Sequence, residues 1–356
     1  MKFKSNKQKI FVTVVADALL FAVALLTFAY FHHVKPRKIG DSVALATPIP
    51  LATPSPAPTA APTPLSTDTV IDTSKPTEKP TPEPTPEPTG LLKGKFADKF
   101  TDGEIISDEN GYRSKNVCVE LSRVEIKVGG MPVVYCLADV YIQDISCFRT
   151  EMAQTSNNKE RVEAMAQRTN AIVAVSGDYW MFKETGLVIR NGALYRDTLR
   201  SGQDVCVLFY DGTVKTYLAR QFTLAEIYAN YPLHAWSFGP RLLDNGQPIT
   251  DREAFNTSDY IFDWHPRCAF GYYEPGHYCF VIVEGRQEGY SYGLNMTDLS
   301  QLMYDLGCTE AFNLDGGMTA MMAYKGELYS QPCGGGRPNC DILYIAEPLD
   351  ANETNE

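Results

Sequence analysis

The stretch of this sequence best suited to chemistry is NLDGG, in which Asn313 and Asp315 precede the paired glycines Gly316 and Gly317. The apolar run over 311–314 is typical of a short buried strand, so both polar side chains are predicted to stand at a strand end. Paired glycines let the backbone approach a ligand where any Cβ would collide. We therefore predict an active-site turn. A hairpin is a second interpretation, because Asp-Gly between apolar runs is also a common hairpin signal.

Charged side chains stand at the ends of other predicted strands as well. They are Asp178, Arg241, Arg267, Glu284, Arg286 and Arg337, in addition to Asp315. Carboxylates in such positions could activate water or attack a sugar carbon. Guanidinium groups form planar forks that suit a phosphate. Taken singly, each of these residues is more typical of a solvated or salt-bridged side chain. Taken together, they supply the groups for chemistry on a sugar phosphate.

The elements that must position these residues have the pattern of an α+β domain, with a mixed, mainly antiparallel sheet and a few packed helices. Residues 117–128 and 133–144 alternate apolar and polar side chains across two glycines, which predicts a pair of antiparallel strands. The predicted helices cover 160–169, a short segment opened by the capping box over 223–226, and 298–306 with Thr297 as its N-cap.

The first 90 residues differ in composition from the rest of the chain. Residues 1–9 are rich in lysine, and 10–31 are almost wholly apolar and long enough to cross a bilayer. The run over 32–90 is rich in Pro and Thr and favours extended polyproline II. We predict a cytoplasmic basic tail, an uncleaved transmembrane anchor and a disordered stalk, then a globular domain over 91–347 and an acidic tail over 348–356. A cleavable signal peptide is the alternative to the anchor.

The nine cysteines all lie in the predicted globular domain, and none has the spacing of a zinc site. This usage suits an oxidising exterior. It favours a single-pass protein of the cell membrane with its N-terminus inside and its domain outside. Cys333 and Cys340 flank a glycine-rich loop, and we predict a disulfide between them.

Charge and motif content narrow the classes of partner. The net charge is −11, and residues 1–40 hold seven Lys or Arg against one acidic residue, so the remainder is more acidic still. This argues against nucleic acid, whose phosphate backbone needs a basic face. No P-loop, HExxH or post-strand GxGxxG is present, so we predict neither a cofactor nor a metal. The literal GxSxG over 289–293 is not a hydrolase elbow, because no His follows Ser291.

The order of motifs in the second half of the domain resembles the phosphodiester glycosidase family. The matching segments are Arg267-Cys268-Ala269-Phe270-Gly271, Glu284-Gly285-Arg286, Ser291-Tyr292-Gly293, a capped helix, Asn313 to Thr319, and Gly336-Arg337-Pro338. The resemblance covers residues 115–346. The chain departs from the family pattern at Met318 and Thr319, where the family has glycine and serine, and at Cys268 and Glu284, where it has threonine and aspartate.

This resemblance implies a hydrolase that cleaves a sugar-1-phosphodiester at the glycosidic C–O bond, in envelope or exopolysaccharide glycans. A phosphodiester leaves as a stabilised anion, so one carboxylate and several arginines would suffice. The candidate catalytic residue is Asp315 or Glu284. The candidate substrate-binding residues are Arg267, Arg286, Arg337, Asn313, Asp178, Gly316, Gly317 and Thr319. A catalytically silent glycan-binding module is the alternative, consistent with the departures at Met318 and Cys268.

Overall fold

The computed structural model describes residues 49–51, 90–199, 202–218, 221–255 and 262–348. The predicted anchor, most of the predicted stalk and nearly all of the predicted acidic tail lie outside these ranges. Among the described residues, no helix combines the length and the apolar character needed to cross a membrane.

The largest sheet has seven strands, and the strands are numbered here along the chain. In spatial order they are β17 (Glu310–Leu314), β15 (Arg267–Glu274), β16 (His277–Val283), β5 (Met131–Ile142), β4 (Val117–Val128), β3 (Gly111–Arg113) and β2 (Ile106–Asp108). Every neighbouring pair is antiparallel. The predicted pairing of β4 with β5 is confirmed, because Gly129 and Gly130 both adopt the positive φ that their tight connection needs.

A second sheet has six antiparallel strands. In spatial order they are β1 (Ile49–Pro50), β9 (Ala193–Thr198), β8 (Gly186–Arg190), β12 (Pro232–Trp236), β10 (Val205–Phe209) and β11 (Val214–Tyr217). The edge strand β1 comes from within the predicted stalk. Leu51, which follows it, donates its N–H to the carbonyl of Gly192 at 2.9 Å. A short piece of the Pro/Thr-rich region is thus hydrogen-bonded to the domain.

The third sheet carries the strands on either side of the glycine-rich loop. Its strands are β19 (Glu327–Leu328), β18 (Met322–Tyr324), β7 (Val173–Ser176), β20 (Asp341–Ile345) and β6 (Phe148–Met152), all antiparallel, and a separate hairpin joins β13 (Leu243–Asp244) to β14 (Gln247–Pro248). After the turn at Asp315 the chain enters β18, which belongs to a different sheet from β17. The hairpin interpretation of this Asp-Gly pair is therefore wrong.

Three α-helices lie within the described ranges, namely α1 (Val162–Arg168), α2 (Leu224–Ala229) and α3 (Met296–Asp305). The predicted capping box is confirmed, because Thr223 and Glu226 cap α2 reciprocally. The predicted N-cap of α3 is wrong by two residues. Asn295 accepts the N–H of Asp298 at 2.9 Å, while the Thr297 hydroxyl donates to the Asn295 side chain and reinforces this cap.

The three larger sheets turn one face each toward a shared apolar core, where Phe148 of β6 contacts Trp236 of β12 and Phe270 of β15. The opposite face of each sheet packs against one helix: α3 on the seven-stranded sheet, α2 on the six-stranded sheet and α1 on the five-stranded sheet. Successive side chains of β16 point to opposite faces of the sheet. Phe280 therefore enters the shared core, and Val281 packs toward α3. The α+β class is confirmed, and all pairs of described strands are antiparallel.

The predicted disulfide between Cys333 and Cys340 is not formed. All nine cysteines are buried free thiols in the structure. Cys340 packs with Trp180 and Val188 in a small apolar cluster that does not include Cys333. Flanking a loop in sequence therefore did not bring the two sulfurs together.

Candidate active site

A cavity of about 330 Å³ opens beside the turn that follows β17. Its lining residues are Phe238, His265, Arg267, Arg286, Asn313, Leu314, Asp315, Gly316, Gly317, Met318 and Arg337. Seven of the ten residues predicted from the sequence are therefore brought together here. The other three, Asp178, Glu284 and Thr319, are buried outside the lining.

The two glycines are required by the shape of this turn. A Cβ on Gly316 would lie 2.8 Å from the carbonyl oxygen of Pro266, which is too close for any side chain. Gly317 has a φ of +67° and donates its N–H to the same Pro266 oxygen at 2.9 Å. The turn is thus folded tightly against the residue before Arg267, and this contact places strand ends β15 and β17 on the same cavity.

Asn313 and Asp315 present oxygen atoms that the protein itself does not satisfy. The Asn313 side-chain N–H₂ donates to the carbonyl of Gly239 at 2.8 Å, which fixes the orientation of the amide. Among the described residues, neither Asn313 Oδ1 nor Asp315 Oδ2 has a hydrogen-bond partner, although both atoms are buried. Residues two apart on a strand share a face. Because buried acceptors are nearly always hydrogen-bonded, these two indicate a ligand that donates, such as a hydroxyl-rich one.

Asp315 is electrostatically unusual. Burial raises the pKa of its carboxyl to about 6. The nearby Thr319 hydroxyl and the positive charges of Arg337 and Lys183 oppose this increase, whereas the charge of Asp178 adds to it. A carboxyl that titrates near neutral pH is well matched to acid or base chemistry.

Arg267 and Arg286 approach the cavity from different sides. Arg267 is buried, and the backbone carbonyls of Leu294 and Asp263 accept from its Nε at 2.8 Å and its Nη2 at 2.9 Å. Arg286 is more exposed, and its guanidinium lies against Gly317. The first arginine is therefore held rigidly by the fold, and the second stands at the mouth of the cavity.

His265 is a lining residue that the sequence did not single out. Arg286 places Nη2 at 3.1 Å and Nε at 3.3 Å from its Nδ1. Burial, followed by the charges of Arg286 and Arg267, lowers the pKa of this imidazole. The ring is therefore neutral at pH 7 and uses Nδ1 as the acceptor. No spacing rule marks it, because its partner lies 21 residues further along the chain.

Two of the departures from the family pattern have different places in the structure. Met318 lines the cavity, and its methyl group lies 3.1 Å from where a Cβ on Gly334 would stand. Its carbonyl accepts the N–H of Arg337 at 2.9 Å. Cys268 is fully buried and donates to the carbonyl of Ser176 at 3.3 Å. The methionine therefore shapes the cavity wall directly, whereas the cysteine lies beneath it.

Glu284 is fully engaged within the protein. Its Oε1 accepts from Arg123 at 2.7 Å and from the N–H of Gln331 at 2.6 Å, and its Oε2 accepts from the Tyr290 hydroxyl at 2.5 Å. Ser291, the serine of the GxSxG match, donates to the Glu284 carbonyl at 2.6 Å. Glutamate and serine thus join the end of β16 to neighbouring loops.

Asp178 and Thr319 support the site from below. Asp178 belongs to a buried ion cluster in which Arg190 lies 3.3 Å from its Oδ1 and 2.8 Å from Oδ2 of Asp341. Neither Arg190 nor Asp341 carries a sequence signal that predicts this cluster. The Thr319 hydroxyl donates to the carbonyl of Gly316 at 2.7 Å and so braces the turn.

Lys183 and Phe238 were also missed by the sequence analysis. The ammonium of Lys183 lies 4.4 Å from the ring centroid of Phe238, a lining residue, and interacts electrostatically with Asp315. Burial lowers the pKa of Lys183. Within the described ranges its ammonium makes no ion pair or hydrogen bond. By contrast Trp180 and Trp236, which could have stacked on a sugar, are buried in apolar clusters.

The charge around the cavity favours an anion. Three guanidinium groups line it against the single carboxylate of Asp315. In the part of the chain that the structure describes, no three His, Cys, Asp or Glu side chains form a group that could hold a metal ion.

Comparison with family models identifies one family. A model of the phosphodiester glycosidase family matches residues 169–346, half of the chain. An SPbeta prophage-derived uncharacterized protein of Bacillus subtilis, YomE, is 30% identical over 205 residues, which make up 56% of this chain and 31% of that protein. This chain thus spans about a third of that relative's length.

A solved structure shows the same fold. The catalytic domain of zebrafish N-acetylglucosamine-1-phosphodiester alpha-N-acetylglucosaminidase, auto-inhibited by its pro-peptide, aligns with a TM-score of 0.54 at 21% identity, covering 68% of this chain and 88% of that one. A hypothetical protein from Synechocystis aligns with a TM-score of 0.46 at 13% identity, covering 65% of this chain and 62% of that one.

Proposed function

Because the chain belongs to the phosphodiester glycosidase family, we propose that it hydrolyses a sugar-1-phosphodiester between the anomeric carbon and the bridging oxygen. The observation that carries this proposal is the pair of buried, unsatisfied oxygens on Asn313 and Asp315 in a cavity lined by three arginines. Sugar hydroxyls would donate to these oxygens, and guanidinium groups would hold the phosphate. One cavity thus suits both halves of such a substrate.

Asp315 is the carboxylate we propose for the chemical step. It lines the cavity, it retains an unused oxygen, and its pKa of about 6 leaves it mostly ionised at pH 7. Glu284 is less suited, because Arg123, Gln331 and Tyr290 already occupy its oxygens. Glu284 is therefore proposed as a structural residue that fixes the end of β16.

The reaction needs one bond made and one broken at the anomeric carbon. Asp315 acts either as the base that takes a proton from water or as the nucleophile in a two-step displacement. In both cases the C–O bond to phosphate breaks, and the phosphate monoester leaves as an anion beside Arg267, Arg286 and Arg337. No proton is needed on the leaving oxygen, which fits the absence of a second unpaired carboxylate among the lining residues.

Lys183 is proposed as a further anion-binding residue. Its ammonium lies beside Phe238 without an ion-pair partner among the described residues, and that position suits a phosphate oxygen of the substrate. Substituting Lys183 by methionine keeps most of the volume and removes the charge. The KM for a sugar-1-phosphodiester should then increase more than kcat decreases.

Cleavage at carbon can be distinguished from cleavage at phosphorus by isotope labelling. The full chain is incubated with a synthetic N-acetylglucosamine-1-phosphodiester in ¹⁸O-water, and the phosphate monoester is analysed by mass spectrometry. Glycosidic cleavage leaves the phosphate unlabelled, while the sugar is released. One ¹⁸O atom in the phosphate product would identify a phosphodiesterase instead and reject the proposed reaction.

A glycan-binding module without turnover is the second candidate, and Met318 is the observation that favours it. Its side chain occupies cavity space where the family pattern has a glycine. Substituting Met318 by glycine tests this candidate. If the wild type binds sugar phosphates without releasing sugar, and the Met318→Gly variant gains turnover, the methionine blocks catalysis and the binding role is preferred.

The location of the protein is proposed from the sequence. Residues 10–31 would anchor the chain in the cell membrane, with residues 1–9 in the cytoplasm and the hydrolase domain outside, acting on envelope or exopolysaccharide glycans. Protease added to whole cells should then release a soluble fragment cut within residues 47–89. Protection of the domain until the cells are lysed would contradict this topology.

A further inference from the structure

Two buried thiols touch at a position that no part of the proposed reaction uses. Cys279 lies on β16, and Cys308 lies between α3 and β17. Their Sγ atoms are 3.6 Å apart, and both residues are buried in the apolar layer beneath α3. We propose that Cys279 and Cys308 form a structural disulfide in the mature protein.

The surrounding residues leave room for this bond. A Cβ on Gly271 would stand 2.6 Å from each sulfur, so the two sulfurs converge over a residue with no side chain. A disulfide requires an S–S distance of about 2.05 Å, so the sulfurs must move together by about 1.5 Å. Met303, whose methyl group also borders Gly271, is flexible enough to adjust.

The bond would secure the strand that carries the cavity residues. Cys308 is two residues before β17, whose far end places Asn313 and Asp315 in the cavity. Cys279 is on the interior strand β16, which pairs with β15, and β15 pairs with β17. A bond between the two cysteines, which are 29 positions apart, would tie the start of β17 to this interior strand.

The oxidant is a disulfide of the thiol–disulfide exchange class, such as an oxidoreductase or oxidised glutathione. One cysteine thiolate attacks the oxidant and forms a mixed disulfide, and the other cysteine displaces the reduced thiol. Two electrons and two protons thus pass from the cysteine pair to the oxidant. The hydrogen bond with Cys308 and burial raise the pKa of Cys279 well above its ordinary value. The exchange therefore takes place during folding, before the thiols are enclosed.

The test is a cysteine map of the full chain refolded from urea in a mixture of reduced and oxidised glutathione. Free thiols are alkylated under denaturing conditions, and the digest is analysed by mass spectrometry. We expect one cross-linked peptide pair containing Cys279 and Cys308, with Cys333 and Cys340 alkylated. Alkylation of both Cys279 and Cys308, or a bond from either to another cysteine, would overturn the proposal.

Melting curves provide a second measurement with a matched control. In the wild type and in Cys333→Ser, a reductant present during unfolding should lower Tm by roughly 5 °C or more. In Cys308→Ser the same reductant should leave Tm unchanged. Equal sensitivity of all three proteins to the reductant would show that this pair is not bonded. The cysteine map of the wild type decides the question if Cys308→Ser does not fold.

Discussion

The backbone N–H of Asp315 donates to the carbonyl oxygen of Gly177 at 3.0 Å. Asp315 follows β17 of the seven-stranded sheet, and Gly177 follows β7 of the five-stranded sheet, so this bond joins the ends of strands from two sheets. A Cβ on Gly177 would lie 2.2 Å from Oδ1 of Asp341, which explains why only glycine fits. The proposed catalytic carboxylate is thus positioned by the meeting of two sheets.

The raised pKa of Asp315 predicts a pH-dependent gain in stability when the carboxyl is removed. Its pKa is about 6 in the folded protein and 3.8 ordinarily, so the folded state holds its proton more tightly. The contribution of the Asp315 carboxyl to the free energy of unfolding is fully present below pH 3.8. It is lost as the pH rises through 6. The free energy of unfolding of Asp315→Asn should therefore exceed that of the wild type by about 1–3 kcal/mol at pH 7.5. At pH 4 the two proteins should have similar free energies of unfolding.

Urea unfolding at the two pH values measures this difference. Asp102→Asn, which changes an exposed aspartate, is the control and should show no such trend. An Asp315→Asn variant no more stable than the wild type at pH 7.5 would contradict the assigned burial and charge of this carboxyl.

A pair of glycine substitutions separates backbone strain from an effect on the cavity. Gly317 and Gly335 have φ values of +67° and +76°, so alanine at either position costs roughly 1–2 kcal/mol. A Cβ on Gly317 would lie 3.4 Å from Arg286 Nη1, whereas one on Gly335 meets no atom within 4 Å. Both variants should lose similar stability, and only Gly317→Ala should also show a several-fold higher KM. Melting curves and steady-state kinetics test both expectations, and equal KM values would count against the cavity assignment.

The ion cluster below the site is predicted to stabilise the fold. Arg190→Met would leave the carboxylates of Asp178 and Asp341 buried without their counter-ion, at a cost of about 3–5 kcal/mol. Arg113→Met, which breaks an exposed ion pair with Glu120, should cost less than about 1 kcal/mol. Urea unfolding of the two variants provides the comparison. Equal losses would show that the buried cluster has no special role.

Much of the fold followed from local patterns in the sequence. Alternation and turn residues predicted β4, β5 and the short apolar strand β17, because side-chain period and turn chemistry are local properties. The pairing of β7 with β18 and β20 was not predictable, since the paired residues Val173 and Ile345 are 172 positions apart in the sequence. The N-cap of α3 was misassigned because Asn295 and Thr297 both suit the position, and only the structure shows which one accepts the N–H of Asp298.

Those cavity residues that are marked by their residue type and by their position at a strand end could be predicted from the sequence. Seven predicted residues line the cavity because strand ends with Gly and charged side chains converge there. Glu284 and Asp178 have the same sequence signals but are occupied by Arg123 and Arg190. Arg123 lies 161 residues from Glu284 in sequence. His265 carries no local signal at all. Burial and long-range pairing, which separate a working carboxylate from a structural one, are properties of the folded chain.

Arg267 provides a test of phosphate binding. Lysine at this position keeps the charge but loses the planar fork, and it cannot reproduce both hydrogen bonds to Leu294 and Asp263. We expect Arg267→Lys to raise KM about 10-fold or more, equivalent to about 1.4 kcal/mol, while measurable turnover remains. Arg113→Lys is the exposed control. An unchanged KM in Arg267→Lys would remove this residue from the proposed phosphate site.

The most direct test of the proposed function compares sugar release by the wild type, Asp315→Asn and Glu284→Gln. The substrate is a synthetic N-acetylglucosamine-1-phosphodiester, and each variant is assayed at a temperature well below its own melting point. We predict that Asp315→Asn loses roughly 10²–10⁴-fold in kcat with little change in substrate binding. Glu284→Gln should melt at a lower temperature and keep a kcat near that of the wild type. An Asp315→Asn variant within a few-fold of wild-type kcat, or a Glu284→Gln variant that folds but is inactive, would contradict the account.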